Sequence, residues 1–350
     1  MSRDMEQLTL FPLPDSNGEE SEMITENTNR SDHGITLLEE QGRWKARNVR
    51  YVSGNWTQVR KEIPSFELTD FKLTADGFSN PHLKTVVRKP RNQIERPIPL
   101  GTVSHSYCLA QHTDVADKCI EGIKSVGIDV NLLTCNLGLT ELDEWMHLRV
   151  YFPEDYNHVA KDGNSLGLRL VCFNSVNASS RLVLMLEWVR FICSNGLVIK
   201  DTLAHLSDIH NERLDITPIP EIIASGLSHV EADIQHLKNW ESTEFSSKAL
   251  EKWVDTSVCE SLGVKAACRV YHIAKTGHDV EFADPFATGS PTQKPVKVLS
   301  PVPGAVKQSR TLYDVSQAIS WVLNSKNDPE ERVSHQLRIP KLIEDLKSYI

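Results

Sequence analysis

Between Arg43 and Arg96 cations are interleaved with large rings: Arg43, Trp44, Lys45, Arg47, Arg50, Tyr51, Trp56, Arg60 and Lys61, then Lys84, Arg88, Lys89, Arg91 and Arg96. Lys and Arg neutralise phosphates, and unstacked bases lie on aromatic faces, so this mixture suits a single-stranded nucleic acid. The expected contacts are Arg43, Lys45, Arg47, Arg50, Arg60, Lys61, Arg88, Lys89 and Arg91 to the backbone, with Trp44, Tyr51 or Trp56 beneath the bases. The same residues also suit a solvated face paired with the acidic remainder of the chain. An acidic tail lying over the patch and competing with polyanions is a further alternative.

Other chemistry is thinly represented. There is no G-x-x-x-x-G-K-[ST] phosphate loop, no G-x-G-x-x-G, no H-E-x-x-H and no G-x-S-x-G. His205, Asp208 and His210, or His229 and His236, are spaced poorly for one helical face, so no metal and no cofactor is expected. Cys193 reads as a buried thiol rather than a nucleophile. Asp201, Asp208, Glu212 and Asp215 are the only dense carboxylates a nuclease could use, and a solvated face explains them more simply. No catalytic residue is assigned.

The chain has 350 residues, 40% of them hydrophobic and 24% charged, which is enough for a sizeable core. It has no run of about 18 apolar residues and no signal-peptide pattern at its start, so a soluble, cytoplasmic protein is expected. Seven cysteines without C-x-x-C spacing read as reduced. The net charge of -9 is unevenly spread: residues 1–40 carry two basic and ten acidic residues, and residues 41–100 carry twelve basic and five acidic. The first forty residues therefore read as a disordered acidic tail, with Leu8 to Leu13 as a docking motif or a strand on the chain's own surface.

The rest of the sequence supplies the elements that must position these groups. Val103 to Gln111 reads as a strand and His112 to Gly127 as a helix, with Thr113 as N-cap. Strands follow within Asp129 to Leu139, Trp145 to Phe152, Leu166 to Phe173 and Leu182 to Trp188, the last two joined by a polar hairpin loop, Asn174 to Ser180. Beyond Asn195 the pattern turns helical. Pro220 sits in a first turn, Ser247 caps the next helix, a third covers Val264 to Ala274, and five prolines between 285 and 303 mark a loop before a helix at Thr311 to Asn324. The expected fold is α+β: a mostly antiparallel meander sheet with an N-terminal helix, followed by a helical C-terminal half. Its parts are a tail (1–40), the basic segment (41–100), a sheet core (101–200), a helical region (201–284), a Pro-rich loop (285–310) and C-terminal helices (311–350).

One stretch carries a family resemblance. Asn174-Ser175 opens the hairpin loop, and Arg190-Phe191-Ile192-Cys193-Ser194-Asn195-Gly196-Leu197 closes the second strand; together they resemble the phage/plasmid-like family of unknown function grouped as uncharacterised protein family 0380. Val103 to Tyr107 and Thr311 to Trp321 fit its early strand and late helix, so the resemblance spans roughly residues 100 to 325. Where that family's loop tends to carry His-Asp-Gly, this chain has Val176-Asn177-Ala178. Cys193, Asn195 and Gly196 also fit a structural role, as a packed thiol and a tight turn or helix entry, with Arg190 paired to a carboxylate.

The resemblance implies carriage on prophages or plasmids. The expectation is thus a nucleic-acid-binding protein of a mobile element, binding or annealing single-stranded DNA without covalent catalysis, with a homo-oligomer as partner and no membrane. The alternative is a protein-binding modulator of a host system such as restriction, working through the acidic tail, and beyond that a metal-dependent nuclease.

Overall fold

A computed structural model describes residues 49–72, 74, 76–190, 195–197, 205–281, 290–292, 297–325 and 329–350. The expected tail, and with it Arg43, Trp44, Lys45, Arg47 and Cys193, lies outside the described residues.

The chain combines helices with antiparallel sheets, as an α+β fold should. The large sheet takes β1 (Arg50–Gly54), β5 (Thr134–Leu139), β6 (Trp145–Tyr151), β8 (Ser165–Ser175), β9 (Leu182–Arg190) and β10 (Asn195–Leu197) as neighbours in that order. β7 (Asn157–Val159) pairs with β8, and β11 (His205–Asp208) with β9. β5, β6, β8 and β9 form the meander. A small sheet of β2 (Phe66–Asp70), β3 (Leu83–Arg88) and β4 (Ile98–Ser104) stands beside it.

In the large sheet one set of alternate side chains, including Leu137, Leu148, Leu170, Leu184 and Trp188, enters the main core. The opposite set is buried as well, which is why these strands read as nearly continuous apolar runs. The core side is closed by helices. α1 (Trp56–Arg60) follows β1, and α2 (His112–Ser125) buries Val115, Ala116, Cys119, Ile120 and Ile123. α3 (Ile219–Leu227), α4 (Val230–Ser242), α5 (Ser247–Trp253), α6 (Cys259–Leu262), α7 (Val264–Thr276), α8 (Leu312–Asn324), α9 (Pro329–Gln336) and α10 (Ile339–Lys347) complete the helical set, and a π turn at Val254–Val258 joins α5 to α6.

Several expectations are corrected here. β1 to β4 precede the helix that leads into the meander, and β1 pairs with β5 across 80 or so residues of chain. The strand expected at 103–111 ends at Ser104; beyond it the Gln111 amide bonds both backbone groups of Phe66 at 2.9 Å, tying the loop to the small sheet. Thr113 does not cap α2, whose N-cap is Gln111, and Ser246 rather than Ser247 caps α5 by accepting from the Ala249 N–H. The Pro-rich stretch also contains a strand, β13 (Lys297–Pro301), paired with β12 (His278–Glu281); its proline sits at the strand end, where the missing donor costs least.

α2 and α3 pack at a glycine. A Cβ on Gly122 would lie 2.8 Å from the Pro220 carbonyl oxygen and 2.9 Å from Pro220 Cα. Backbone cannot step aside as a side chain can. Gly122→Ala is therefore expected to destabilise by about 1–3 kcal/mol through overpacking, despite alanine's better helix propensity, and urea unfolding reads the difference.

Candidate nucleic-acid interface and a buried polar face

The described members of the basic segment are spread over several surfaces. Trp56 is 7% exposed and sits in the main core, because its neighbour Asn55 caps α1 with a capping box that turns the ring inward. Arg60 makes a two-pronged contact with Asp117 at 2.7 Å, Lys84 meets Asp70 at 2.7 Å, and Lys89 lies 3.5 Å from Glu67. Tyr51 stands on the far face of the large sheet with a buried hydroxyl that has no hydrogen-bond partner among the described residues. Burial holds that phenol above its ordinary pKa, against the opposing charge of Arg332. Lys61, Lys72 and Arg96 have no ion pair among the described residues.

Three of the expected contacts do come together, around a carboxylate. Asp143 accepts from Arg88 Nη1 at 2.6 Å and from Arg91 Nη2 at 2.5 Å, with Arg50 Nη2 at 4.0 Å. Arg88 also pairs with Glu95, and Arg50 with Glu62 at 2.9 Å. Asp143 can reach them because it takes a left-handed backbone (φ 65°) in the tight turn between β5 and β6. Arg88 is buried in this cluster and cannot also hold a phosphate, whereas Arg50 and Arg91 keep 38% and 34% of their side-chain surface exposed. The cluster binds the loop after β3 to the end of the large sheet.

The small sheet shows a second arrangement. Phe66, Leu68, Val86, Val103 and Tyr107 fill one face. On the other, Thr69, Thr85 and Thr102 fall in register across the three strands. The loop from Lys89 to Pro97 leaves one end with Lys89, Arg91, Arg96 and Ile94 exposed. At the other end, the loop from Phe71 to His82 exposes Phe71, Lys72 and Phe78. Hydroxyls thus lie between a basic loop and an aromatic one.

Sequence reasoning missed a polar patch on the far face of the large sheet. Ser53, Asn136 and Arg149 share one cross-strand row, Tyr51, Gly138, His147 and Phe173 the next, and Tyr151, Arg169 and Glu187 another. Arg169 donates to Glu187 at 2.7 Å and to the Tyr151 hydroxyl at 3.1 Å; Arg149 donates to Asn136 at 3.1 Å and lies against the His147 ring, which stacks on Phe173 at 3.9 Å. Burial pulls Arg149 down to about 9 and His147 well below the usual imidazole range. Burial pulls on Arg169 too, but Glu187 and Tyr151 more than offset it and hold the guanidinium above its ordinary value. Val333 and Leu337 cover the apolar half of this face at Val171, Phe173, Val183 and Met185. The available signal was a charge within each apolar strand: Arg149 in WMHLRVYF, Arg169 in LGLRLVCF and Glu187 in LVLMLEW.

The motif residues hold loops and strand ends. Asn174 Nδ2 donates to the Ala110 carbonyl and to His112 Nδ1, both at 2.9 Å, and the Ser175 hydroxyl closes the hairpin loop on Ser180. Arg190 pairs with Asp162, donates to the Gly304 carbonyl at 2.8 Å and faces the Tyr313 ring. Asn195 and Gly196 belong to β10, which folds back on β9 in the register Asn195 to Arg190; they form neither a tight turn nor a helix entry. The six described cysteines are free thiols. Among the described residues no three His, Cys, Asp or Glu side chains are grouped to hold a metal, and no helix is long and apolar enough to cross a membrane.

The architecture is that of an α+β protein, a helix-backed antiparallel meander with a small sheet at its side. The chain belongs to the DUF932 family, a domain of unknown function, whose model matches residues 99–299. An uncharacterised family is thus shown. No curated protein and no solved structure matches the chain.

Proposed function

We propose that this protein binds single-stranded nucleic acid, without covalent chemistry, along the open face of the small sheet. The carrying observation is the row Thr69, Thr85 and Thr102 set between a loop exposing Lys89, Arg91 and Arg96 and a loop exposing Phe71, Lys72 and Phe78. Hydroxyls and cations contact phosphates and fix a strand's path without reading its sequence. Within this loop Arg88 and Arg91 are held by Asp143, so Lys89 and Arg96, both exposed, supply the electrostatic anchor for the strand. The path replaces the groove expected from the 43–61 cluster, whose described members are largely paired or buried.

A short oligothymidylate should bind at low salt, and log K should fall linearly with log salt at about -0.7 per phosphate contacted. Lys89→Glu together with Arg96→Glu should weaken binding at least tenfold at low salt, since both side chains are exposed. Failure of the wild-type chain to shift the oligonucleotide at low salt removes the reading. Carriage on a prophage or plasmid, an annealing role and homo-oligomeric assembly belong to the same proposal; sedimentation with and without oligonucleotide tests the last.

A further inference from the structure

We infer that Phe71 and Phe78 form the base-stacking platform of this protein, an inference that rests on the single-strand reading above. Both rings belong to the loop joining β2 to β3. The Asn80 N–H donates to the Phe71 carbonyl at 2.9 Å, the Gly77 N–H to the Thr74 carbonyl at 3.0 Å, and the His82 N–H to the Asn80 side chain at 2.8 Å, bonds that link the loop's described residues. The His105 N–H donates to the His82 carbonyl at 2.8 Å and fastens the loop to the turn after β4. Phe78 is nevertheless fully exposed, and Phe71 is 37% exposed.

A fully exposed phenyl ring on a bonded loop lacks the cover that apolar surface normally finds. The neighbourhood defines what would cover it. Lys72 adjoins Phe71 and is exposed without an ion pair among the described residues, His82 stands at the end of the loop, and Lys84 is already neutralised by Asp70. An exposed ring at Phe71, next in the chain to an exposed Lys72 and two residues beyond Thr69 of the hydroxyl row, suits a base stacked above its own phosphate more closely than an apolar protein pocket. Of the rings expected to stack bases, Trp44 lies outside the described residues, Trp56 is in the core and Tyr51 has its hydroxyl buried on the far face of the large sheet.

The test compares a short oligothymidylate with an abasic strand of equal length and charge, by fluorescence anisotropy at low salt, on the full chain. The wild-type protein should bind the thymidylate strand about tenfold more tightly than the abasic one. Phe78→Ala should lose that tenfold preference while binding the abasic strand unchanged, and Phe78→Trp should keep it, the range measured when aromatic platforms are truncated. Equal binding of the two strands by wild-type protein overturns the platform and leaves the single-strand reading standing. So does a Phe71→Ala, Phe78→Ala double variant that keeps the preference, which would point to a protein pocket as the rings' partner. If the wild-type chain binds neither strand, the single-strand reading falls and the platform with it.

Discussion

Asp143→Ala should lose about 3–5 kcal/mol of unfolding free energy, the range for removing one member of a buried ion pair. The carboxylate is 3% exposed and receives Arg88 and Arg91, with Arg50 near its other oxygen. Arg88 is 7% exposed, so it cannot recover water when its partner leaves, and Glu95 alone would then balance it. The loss should also be regional. Asp143 joins the loop after β3 to the turn between β5 and β6, so amide exchange should rise in β2 to β4 well before the meander. Asp143→Asn should fall between the two, because asparagine tolerates the left-handed backbone at this position but supplies no charge. A change below about 1 kcal/mol in urea unfolding of the alanine variant would show that the three arginines are solvated after all.

Acidification below pH 6.5 should destabilise the fold steeply, before most carboxylates titrate. Burial lowers His112 to about 3, with partial relief from the Asp143 carbonyl, and lowers His147 well below the ordinary value; His205 and His210 are lowered by burial as well. Each folded-state pKa lies below the unfolded value near 6.5, so stability is fully present above pH 6.5. As pH falls from there, the unfolded chain takes up protons that the folded chain refuses. Each such histidine removes about 1.4 kcal/mol per pH unit until its folded pKa is reached. His112 alone should cost about 2 kcal/mol between pH 6.5 and 4.5, and His147 adds to the loss in the same direction. Urea midpoints across this range measure the slope, and His112→Gln should flatten it by one proton. A wild-type stability that is level from pH 6.5 to 4.5 would mean these imidazoles reach solvent.

Within the fold, legibility in sequence follows the range of the interaction. The helices His112–Ser125 and Leu312–Asn324 could be read from the 3.6-residue spacing of their apolar positions, and the strands Trp145–Tyr151 and Leu182–Arg190 from short apolar runs bounded by turn residues. The hairpin loop Asn174 to Ser180 was readable for a similarly local reason: Ser175 and Asn177 bond backbone and side-chain groups a few residues away. β2 and β3 were not read, and β4 was met only at its last residues, Val103 and Ser104, because Lys84, Arg88, Lys89 and the prolines around them mask strands whose apolar side is short. Of the candidate site, Lys89 and Arg91 were identified, whereas Phe71, Phe78 and the threonine row were not, since a row across three strands has no spacing along the chain.

Alone, the sequence determined the α+β class, the meander, most helices and the uneven distribution of charge. Those depend on local periodicity and on composition. Tertiary structure decided which cations are spent: Arg60 on Asp117, Arg88 on Asp143 and Glu95, Arg190 on Asp162. It likewise decided that Trp56 is core, that Phe78 meets solvent, and that Arg149, Arg169 and Glu187 share a covered face. An arginine's chemistry depends on whether a carboxylate distant in sequence lies within about 4 Å, because Coulomb attraction and desolvation both vary steeply over that distance. Nothing in the order of residues encodes that separation until the strands pair.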